Sequence, residues 1–180
     1  VVLYFRAASP QASTTSAQVE RCPVSTVHPS DKAAVGAAEK YPLPAIIIDL
    51  GTATKITVVT EDHSYIGGAI LPGVAISLSA LSGSTSLLPS IGLGAGKIKT
   101  IGSNTVDCMI SGVVLGFACM LDGMIERYRE ELGEVPTVVA CGGLASTIVP
   151  HCKSDIILDK DLLLDGLLAI YRRNTPPKQR

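Results

Sequence analysis

A buried strand that ends in a glycine turn and leads into two more strands is the feature that most constrains this fold. The apolar run at residues 45–48 is typical of a strand covered on both faces. Segment 55–60 is rich in β-branched residues, and a third strand at 65–70 runs into Pro72-Gly73. Three consecutive strands with short connections predict an antiparallel meander.

The turn after the first of these strands also carries chemistry, in the sequence Asp49-Leu50-Gly51-Thr52-Ala53-Thr54. Gly51 lets the backbone come close to a ligand. The hydroxyls of Thr52 and Thr54, with nearby backbone N–H groups, can donate to phosphate oxygens. Asp49 is a natural ligand for a hard cation. This combination indicates a phosphate-and-cation site, although a tight turn in which Asp49 caps a neighbour stays open as an alternative.

The rest of the chain alternates helices with single strands. A first helix at 31–41 is capped by Ser30 or Asp31 and stopped by Pro42. The dominant helix, at 105–132, has apolar residues at steps of three and four and a second stripe of small residues. Further helices are predicted at 74–81, 144–151 and 161–173, with strands at 137–140 and 156–158. The order β-β-β-α-α-β-α-β-α is the pattern of an α/β ribonuclease H-like (actin-like ATPase) domain, a mixed sheet with helices on its faces.

Composition and charge narrow the classes of partner. The formal net charge is −1, no basic stripe is present and Trp is absent, so no nucleic-acid partner is predicted. The longest apolar run, at 109–121, falls short of the roughly 20 residues that a bilayer needs, so no membrane partner is predicted either. Five cysteines without a C-x-x-C pair are typical of reduced, buried thiols in a cytosolic protein.

Three further segments carry candidate binding groups. Asn104 and Thr105 stand at the start of the long helix, where an amide, a hydroxyl and the helix N-terminus can hold an anionic substrate. We place Thr105 as the N-cap, and capping alone is the alternative. Gly142 and Gly143 follow a buried strand and let a bulky group lie on the backbone. Asp31 is a candidate general base or only a helix cap.

Four motifs, in their order along the chain, resemble those of the type III pantothenate kinases, which belong to the acetate-kinase/sugar-kinase/actin superfamily. The resemblance covers about residues 33–174. The motifs are Ile46-Ile47-Ile48-Asp49-Leu50-Gly51-Thr52-Ala53-Thr54, Gly67-Gly68-Ala69-Ile70-Leu71-Pro72-Gly73, Ile101-Gly102-Ser103-Asn104-Thr105 and Ala140-Cys141-Gly142-Gly143-Leu144-Ala145.

The resemblance implies transfer of the ATP γ-phosphate to the primary hydroxyl of pantothenate, the first step towards coenzyme A. It implies a homodimer with its site in a cleft between two domains, and a need for Mg²⁺ and a monovalent cation, potassium or ammonium. By position, Asp49 matches the ligand of the monovalent cation and Thr52 a residue that contacts ATP. Thr105 matches a residue that contacts pantothenate, and Gly142 and Gly143 match glycines on the nucleotide side.

The chain departs from the family pattern at its front. The family's Asp-x-Gly-Asn-Thr phosphate loop does not occur in residues 1–45, and Ser103 stands where the family usually has a basic residue. Ser30-Asp31 is the only match to the family's catalytic Gly-Ala/Ser-Asp sequence, with Pro29 in place of the glycine. We therefore expect an irregular or disordered segment at 1–30, a remnant helix of a largely missing first domain at 31–44, the kinase domain at 45–174 and a tail at 175–180.

These departures predict a chain that phosphorylates pantothenate very weakly. A non-catalytic ligand-binding or dimerisation domain of the same fold is the alternative function. Another phosphotransferase or a transcriptional regulator on this fold is a third; a regulator should carry an extra DNA-binding segment, and the sequence shows none.

Overall fold

The computed structural model describes residues 22–23, 31–85, 87–93, 97–133 and 136–175. Its strands are β1 (Cys22–Pro23), β2 (Ala45–Leu50), β3 (Ala53–Val59), β4 (Ser64–Pro72), β5 (Thr137–Cys141) and β6 (Ile157–Leu158). Its helices are α1 (Lys32–Lys40), α2 (Val74–Gly83), α3 (Thr105–Leu132), α4 (Ala145–Ile148), which continues as a 3₁₀ turn at Val149–His151, and α5 (Leu162–Asn174). The strands form one sheet in the order β1-β4-β3-β2-β5-β6.

The predicted meander is confirmed, because β2 pairs antiparallel with β3 and β3 antiparallel with β4. Strands β5 and β6 extend the sheet with parallel pairing. The carboxyl ends of β2, β5 and β6 therefore lie at one edge of the sheet, together with the β2–β3 turn. This is the mixed sheet of a ribonuclease H-like domain.

Two layers of helices cover the sheet, and each buries its own apolar cluster. On one face, α2, α3 and α4 pack on alternate strand residues such as Ile48, Ile56 and Val58. On the other face, α1 and α5 pack on Ile47, Val59 and their neighbours. The central strand β2 is apolar on both faces because both are covered, as the run at 45–48 predicted.

Helix α1 belongs to this packed body. It contacts α5 and the α1–α5 face of the sheet, and its end is tied to the carboxyl end of β6 by Lys40, whose ammonium lies 2.8 Å from a carboxylate oxygen of Asp159. The Tyr41 hydroxyl donates to the same carboxylate at 2.8 Å. The assignment of residues 31–44 to a remnant of another domain stays a prediction.

The front of the chain and two helix caps differ from the expectation. Cys22–Pro23 forms a short edge strand on β4, where an irregular segment was predicted; proline is tolerated at a sheet edge. The remainder of 1–30, and most of the predicted tail, lie outside the described residues. Thr105 as N-cap is wrong: Asn104 is the N-cap of α3, and its side chain accepts a hydrogen bond from the Asp107 amide at 2.9 Å. Asp31 takes the N-cap position of α1 but makes no capping hydrogen bond.

The expectation of buried thiols holds for some cysteines only. Cys141 is buried and Cys152 partly buried, whereas Cys108 and Cys119 are exposed on α3. The wide apolar stripe of α3 does not extend around the whole helix, and these two residues lie outside it.

Within the described residues, α3 is also the one helix long and apolar enough to cross a membrane by length and composition. Its buried residues, among them Val114, Leu121 and Ile125, pack in the core of the sheet. Core helices pass the same test, so the finding is weak evidence for a span.

Asp122, in the middle of α3, holds the loop before β6. Its carboxylate accepts hydrogen bonds from the backbone N–H of Lys153 at 2.9 Å and of Ser154 at 2.8 Å. Burial alone would raise the pKa of Asp122, but these backbone donors outweigh it and hold the pKa below the ordinary value of 3.8. The ionised carboxylate therefore stabilises the fold.

Replacing Asp122 by alanine is expected to lower the free energy of unfolding by about 1–3 kcal/mol at neutral pH, because two backbone donors lose a charged acceptor. Since the pKa is depressed in the folded state, this contribution is present above pH 3.8 and is lost as the pH falls through the lower folded pKa. Urea unfolding followed by circular dichroism at several pH values measures it. Asp155→Ala, at an exposed carboxylate nearby, is the control; equal effects of the two substitutions would contradict the role of Asp122.

Candidate active site

The turn between β2 and β3 is the centre of the candidate site, and two other loops pack directly against it. Thr52 is exposed and Gly51 partly so. A Cβ at Gly73, after β4, would lie 2.0 Å from the carbonyl oxygen of Thr52. A Cβ at Gly142, after β5, would lie 2.6 Å from the carbonyl carbon of Leu50. The loops after β2, β4 and β5 therefore converge, and glycine is what allows their backbones to approach.

Helix α2 begins at this meeting point. Gly73 is its N-cap and offers no side chain, so no side-chain oxygen caps the first turn of the helix. The first N–H groups of a helix lack intrahelical partners and carry the positive end of its dipole. An uncapped N-terminus beside the Gly51-Thr52 turn is therefore suited to an anion such as a phosphate.

The two glycines after β5 have different parts. Gly142 has a φ of 96° and anchors its loop against β2, where Leu144 donates its backbone N–H to the carbonyl of Leu50 at 3.3 Å. Gly143 is exposed, and a Cβ there would meet no heavy atom within 4 Å. Gly142 thus shapes the loop, while Gly143 borders open space in which a flat group could lie on the backbone.

Charged side chains gather at the same edge, on the α1–α5 face. Asp49 and Lys55 are direct partners in the register of β2 and β3, so their side chains share a face. The Lys55 ammonium forms an ion pair with the Asp31 carboxylate at the start of α1, and both side chains are largely buried. The structure thus pairs Asp31 with Lys55 on the face of the sheet that also carries Asp49.

Burial dominates the electrostatics of this cluster. It raises the pKa of Asp49, a shift that the nearby Lys55 ammonium opposes. Burial also raises the pKa of Tyr65, and the Asp31 carboxylate adds to that shift. Cys141, the register partner of Asp49 on β5, has its pKa raised to about 12 by burial and then by Asp49, so its thiol is neutral near pH 7.

The other predicted site residues lie elsewhere. Thr54 lies in β3 where it pairs with β2, and its side chain is fully buried. The Thr54 hydroxyl has no hydrogen-bond partner among the described residues. Asn104 and Thr105 start α3 beside a surface network in which Lys99 pairs with Asp107 at 2.9 Å. None of the contacts described joins that network to the Gly51 turn. The roles of these residues towards ATP and pantothenate stay predictions.

Two surface cavities also lie away from the turn. One, of about 290 Å³, lies between α1 and α5 beside Lys40 and Arg172. The other, of about 210 Å³, lies between β4 and the end of α3 beside Gly67 and Tyr128. The Gly51 turn itself is open to solvent at Thr52.

Sequence reasoning missed Lys55 and the start of α2. The predicted strands did not give the register of Lys55, because it faces Asp49 only when the turn is centred on Thr52. The close approach of Gly73 to the Thr52 carbonyl was not expected, since a backbone contact between two loops leaves no pattern in the sequence.

The fold defines an α/β ribonuclease H-like class of domain, and comparison with known proteins gives the family. The family model for type III pantothenate kinase matches residues 14–127, well over half of the chain. This chain belongs to the type III pantothenate kinase family.

Individual relatives agree. The chain is 43% identical over 143 residues to the type III pantothenate kinase of Rhodospirillum rubrum, covering 79% of this chain and 55% of that protein. It is 44% identical over 145 residues to the enzyme of the same name from Acholeplasma laidlawii, covering 81% of this chain and 58% of that protein. The chain thus spans somewhat more than half the length of the curated relatives it matches.

Among solved structures, one described as a conserved Baf family transcriptional activator from Campylobacter jejuni superimposes with a TM-score of 0.59 at 20% identity. The match covers 83% of this chain and 65% of that one. At this identity the likeness shows the fold alone, and it supports the ribonuclease H-like architecture.

Proposed function

We propose that this chain takes part in the ATP-dependent phosphorylation of pantothenate, in the cytosol, as the first step of coenzyme A synthesis. The observation that carries the proposal is the convergence of three loops and two carboxylates at one open edge of the sheet, in a chain of this family. Phosphoryl transfer depends mainly on positioning and on stabilisation of negative charge, and backbone donors with hydroxyls at such an edge supply both.

Each residue at the edge has a proposed part. Gly51 and Thr52, with the start of α2, hold the phosphates of ATP, which arrives with Mg²⁺. Gly143 borders the nucleoside, and Gly142 keeps its loop in place. Asp31 orients or deprotonates the attacking hydroxyl of pantothenate as general base. Asp49 holds a positive charge next to the phosphates. By the resemblance, a potassium or ammonium ion supplies that charge.

Residues outside the cluster complete the proposal. Asn104 and Thr105 would contact pantothenate at the start of α3. Thr54 would assist at the phosphates only if its buried hydroxyl became accessible, so the exposed Thr52 is the stronger phosphate donor of the two.

Binding of Mg-ATP tests this assignment without requiring turnover. Gly143→Val is expected to fold normally, because a Cβ there meets open space. It should weaken ATP binding at least tenfold, because the side chain would fill the space assigned to the nucleoside. Titration calorimetry measures the affinity.

Gly83→Val is the matched control. It is equally free of neighbours and stands at the far end of α2, about 15 Å from Gly73 at a rise of about 1.5 Å per residue. We expect the Gly83 variant to bind Mg-ATP with wild-type affinity and the Gly143 variant to bind it more weakly. Unchanged affinity in both would reject the nucleotide site.

We also propose a homodimer that uses α3. Gly112 and Gly116 are exposed, with no heavy atom within 4 Å of a Cβ placed at either, so they present a surface on which a second helix can pack closely. Sedimentation velocity should show a dimer that Gly116→Trp weakens. A monomer at high micromolar concentration of the wild-type chain is the contrary result.

A further inference from the structure

Asp49, to which the resemblance assigns a monovalent cation, already faces a cation that belongs to the chain. Lys55 stands opposite Asp49 in the register of β2 and β3, so the two side chains share a face of the sheet. Its ammonium forms an ion pair with Asp31 and also attracts the Asp49 carboxylate electrostatically. Among the described residues, the Lys55 ammonium therefore acts on both carboxylates of the candidate site.

The side chains on either side of Asp49 do not suit a bound potassium or ammonium ion. Its two register partners are Lys55 and Cys141. An ammonium group has only donors, and a neutral thiol is a weak acceptor, so neither side chain offers an oxygen ligand. A cation next to Asp49 would also be repelled by Lys55 in a partly desolvated setting, where charges interact more strongly than in water.

We propose that the Lys55 ammonium takes the electrostatic role of the monovalent cation, so that this site binds no potassium or ammonium ion. The charge stabilises Asp31 and Asp49 as a pair, and its meaning for phosphoryl transfer rests on the proposed function. Because Lys55 is part of β3, the charge needs no recruitment from solution and does not vary with the salt present.

The same geometry predicts what removal of Lys55 does. Asp31 and Asp49 would then be two buried or half-buried carboxylates without the ammonium that attracts both, an arrangement that favours a bound cation. Lys55→Met keeps most of the side-chain stem and removes only the charged end. This variant should acquire a dependence on potassium that the wild-type chain lacks.

Thermal unfolding of the 180-residue chain tests the proposal with no nucleotide present. Melting is followed in potassium chloride at about 100 mM and in choline chloride at the same ionic strength, which equalises non-specific screening. Wild-type protein should melt at the same temperature in both salts. Lys55→Met should melt about 3 °C higher in potassium, the shift expected when the ion exceeds its dissociation constant roughly tenfold.

Lys99→Met is the matched control. Lys99 is also paired with a carboxylate, but on the protein surface beside the start of α3, so this variant should show no potassium-specific shift. Thallium(I) NMR provides a direct second measurement, with a bound resonance expected for Lys55→Met and none for wild type. A potassium-specific rise in wild-type melting temperature that Asp49→Asn removes would overturn the proposal. So would a Lys55→Met protein that is folded but indifferent to potassium.

If Lys55→Met does not fold, the wild-type measurements decide alone. Failure of the wild-type chain to bind Mg-ATP would reject the proposed function and leave these cation results as they are.

Discussion

Gly166→Ala is expected to destabilise the folded chain by about 3 kcal/mol or more, a large fraction of the roughly 5–15 kcal/mol that holds a domain together. Gly166 lies where α5 crosses α1. A Cβ there would lie 1.8 Å from the carbonyl oxygen of Lys32 and 3.0 Å from the backbone nitrogen of Gly36. Both contacts are with backbone, so the added carbon can be accommodated only if the two helices move apart and the α1–α5 layer opens.

Gly123→Ala on α3 is the matched control for that substitution. It is the same chemical change inside a helix, but its Cβ would meet only the flexible end of Arg127, at 3.6 Å, so it should stabilise α3 by up to about 1 kcal/mol through helix propensity. Urea unfolding followed by circular dichroism measures both variants. Equal effects would mean that α1 and α5 are not in backbone contact at Gly166.

The same crossing also bears on the site. Asp31 stands at the start of α1 and its ion pair with Lys55 depends on where that helix lies. Opening the α1–α5 layer would therefore displace the proposed general base as well as lower stability. A Gly166 variant that stays folded at low temperature should lose the Asp31–Lys55 pairing first.

Much of the fold could be predicted from the sequence because its signals are local and periodic. The apolar run at 45–48 can form only a strand buried on both faces, and the apolar steps of three and four in α3 gave its bounds as Thr105–Leu132, as found. Two strand ends differ from the prediction. Strand β3 begins at Ala53 and β4 ends at Pro72, because the pairing of the two strands extends beyond their β-branched residues.

The site was only partly predictable, since its decisive contacts join residues far apart in the chain. The sequence of the β2–β3 turn predicts Gly51 and Thr52 as candidate site residues. The close approach of Gly142 to Leu50 brings that turn and the loop after β5 together. The partnership of Asp31 with Lys55 was not predictable from the local pattern, because it depends on where α1 lies over the sheet. Asp31 read alone resembled a helix cap.

The choice of cap at α3 shows a second limit. Asn104 and Thr105 are both good capping residues, and a one-residue difference in where the helix begins decides between them. In the structure Asn104 is the cap, because its side-chain oxygen accepts a hydrogen bond from the backbone N–H of Asp107. This leaves the Thr105 side chain out of the cap, which is compatible with its proposed contact with pantothenate.

The second large effect concerns turnover by this chain: we expect pantothenate phosphorylation at least about 10³-fold slower than the ~1–100 s⁻¹ common for kinases. In the proposed assignment, the described residues supply phosphate donors on one side of the transferred group, and the family's Asp-x-Gly-Asn-Thr loop, which would face them, does not occur in the sequence. Each missing donor to a developing charge costs about 10²–10³ in rate.

A radiolabelled assay that follows the γ-phosphate of ATP into phosphopantothenate measures this rate. Asp31→Asn is the control that separates residual activity of the chain from a contaminating kinase, since loss of a general base should lower a genuine rate by a further ~10²–10⁴-fold. Turnover in the ordinary kinase range would mean that residues outside the described part of the chain supply donors to the second side of the site. A slow rate that Asp31→Asn abolishes would show that this edge alone performs the transfer, with Asp31 orienting the hydroxyl and half of the usual electrostatic stabilisation in place.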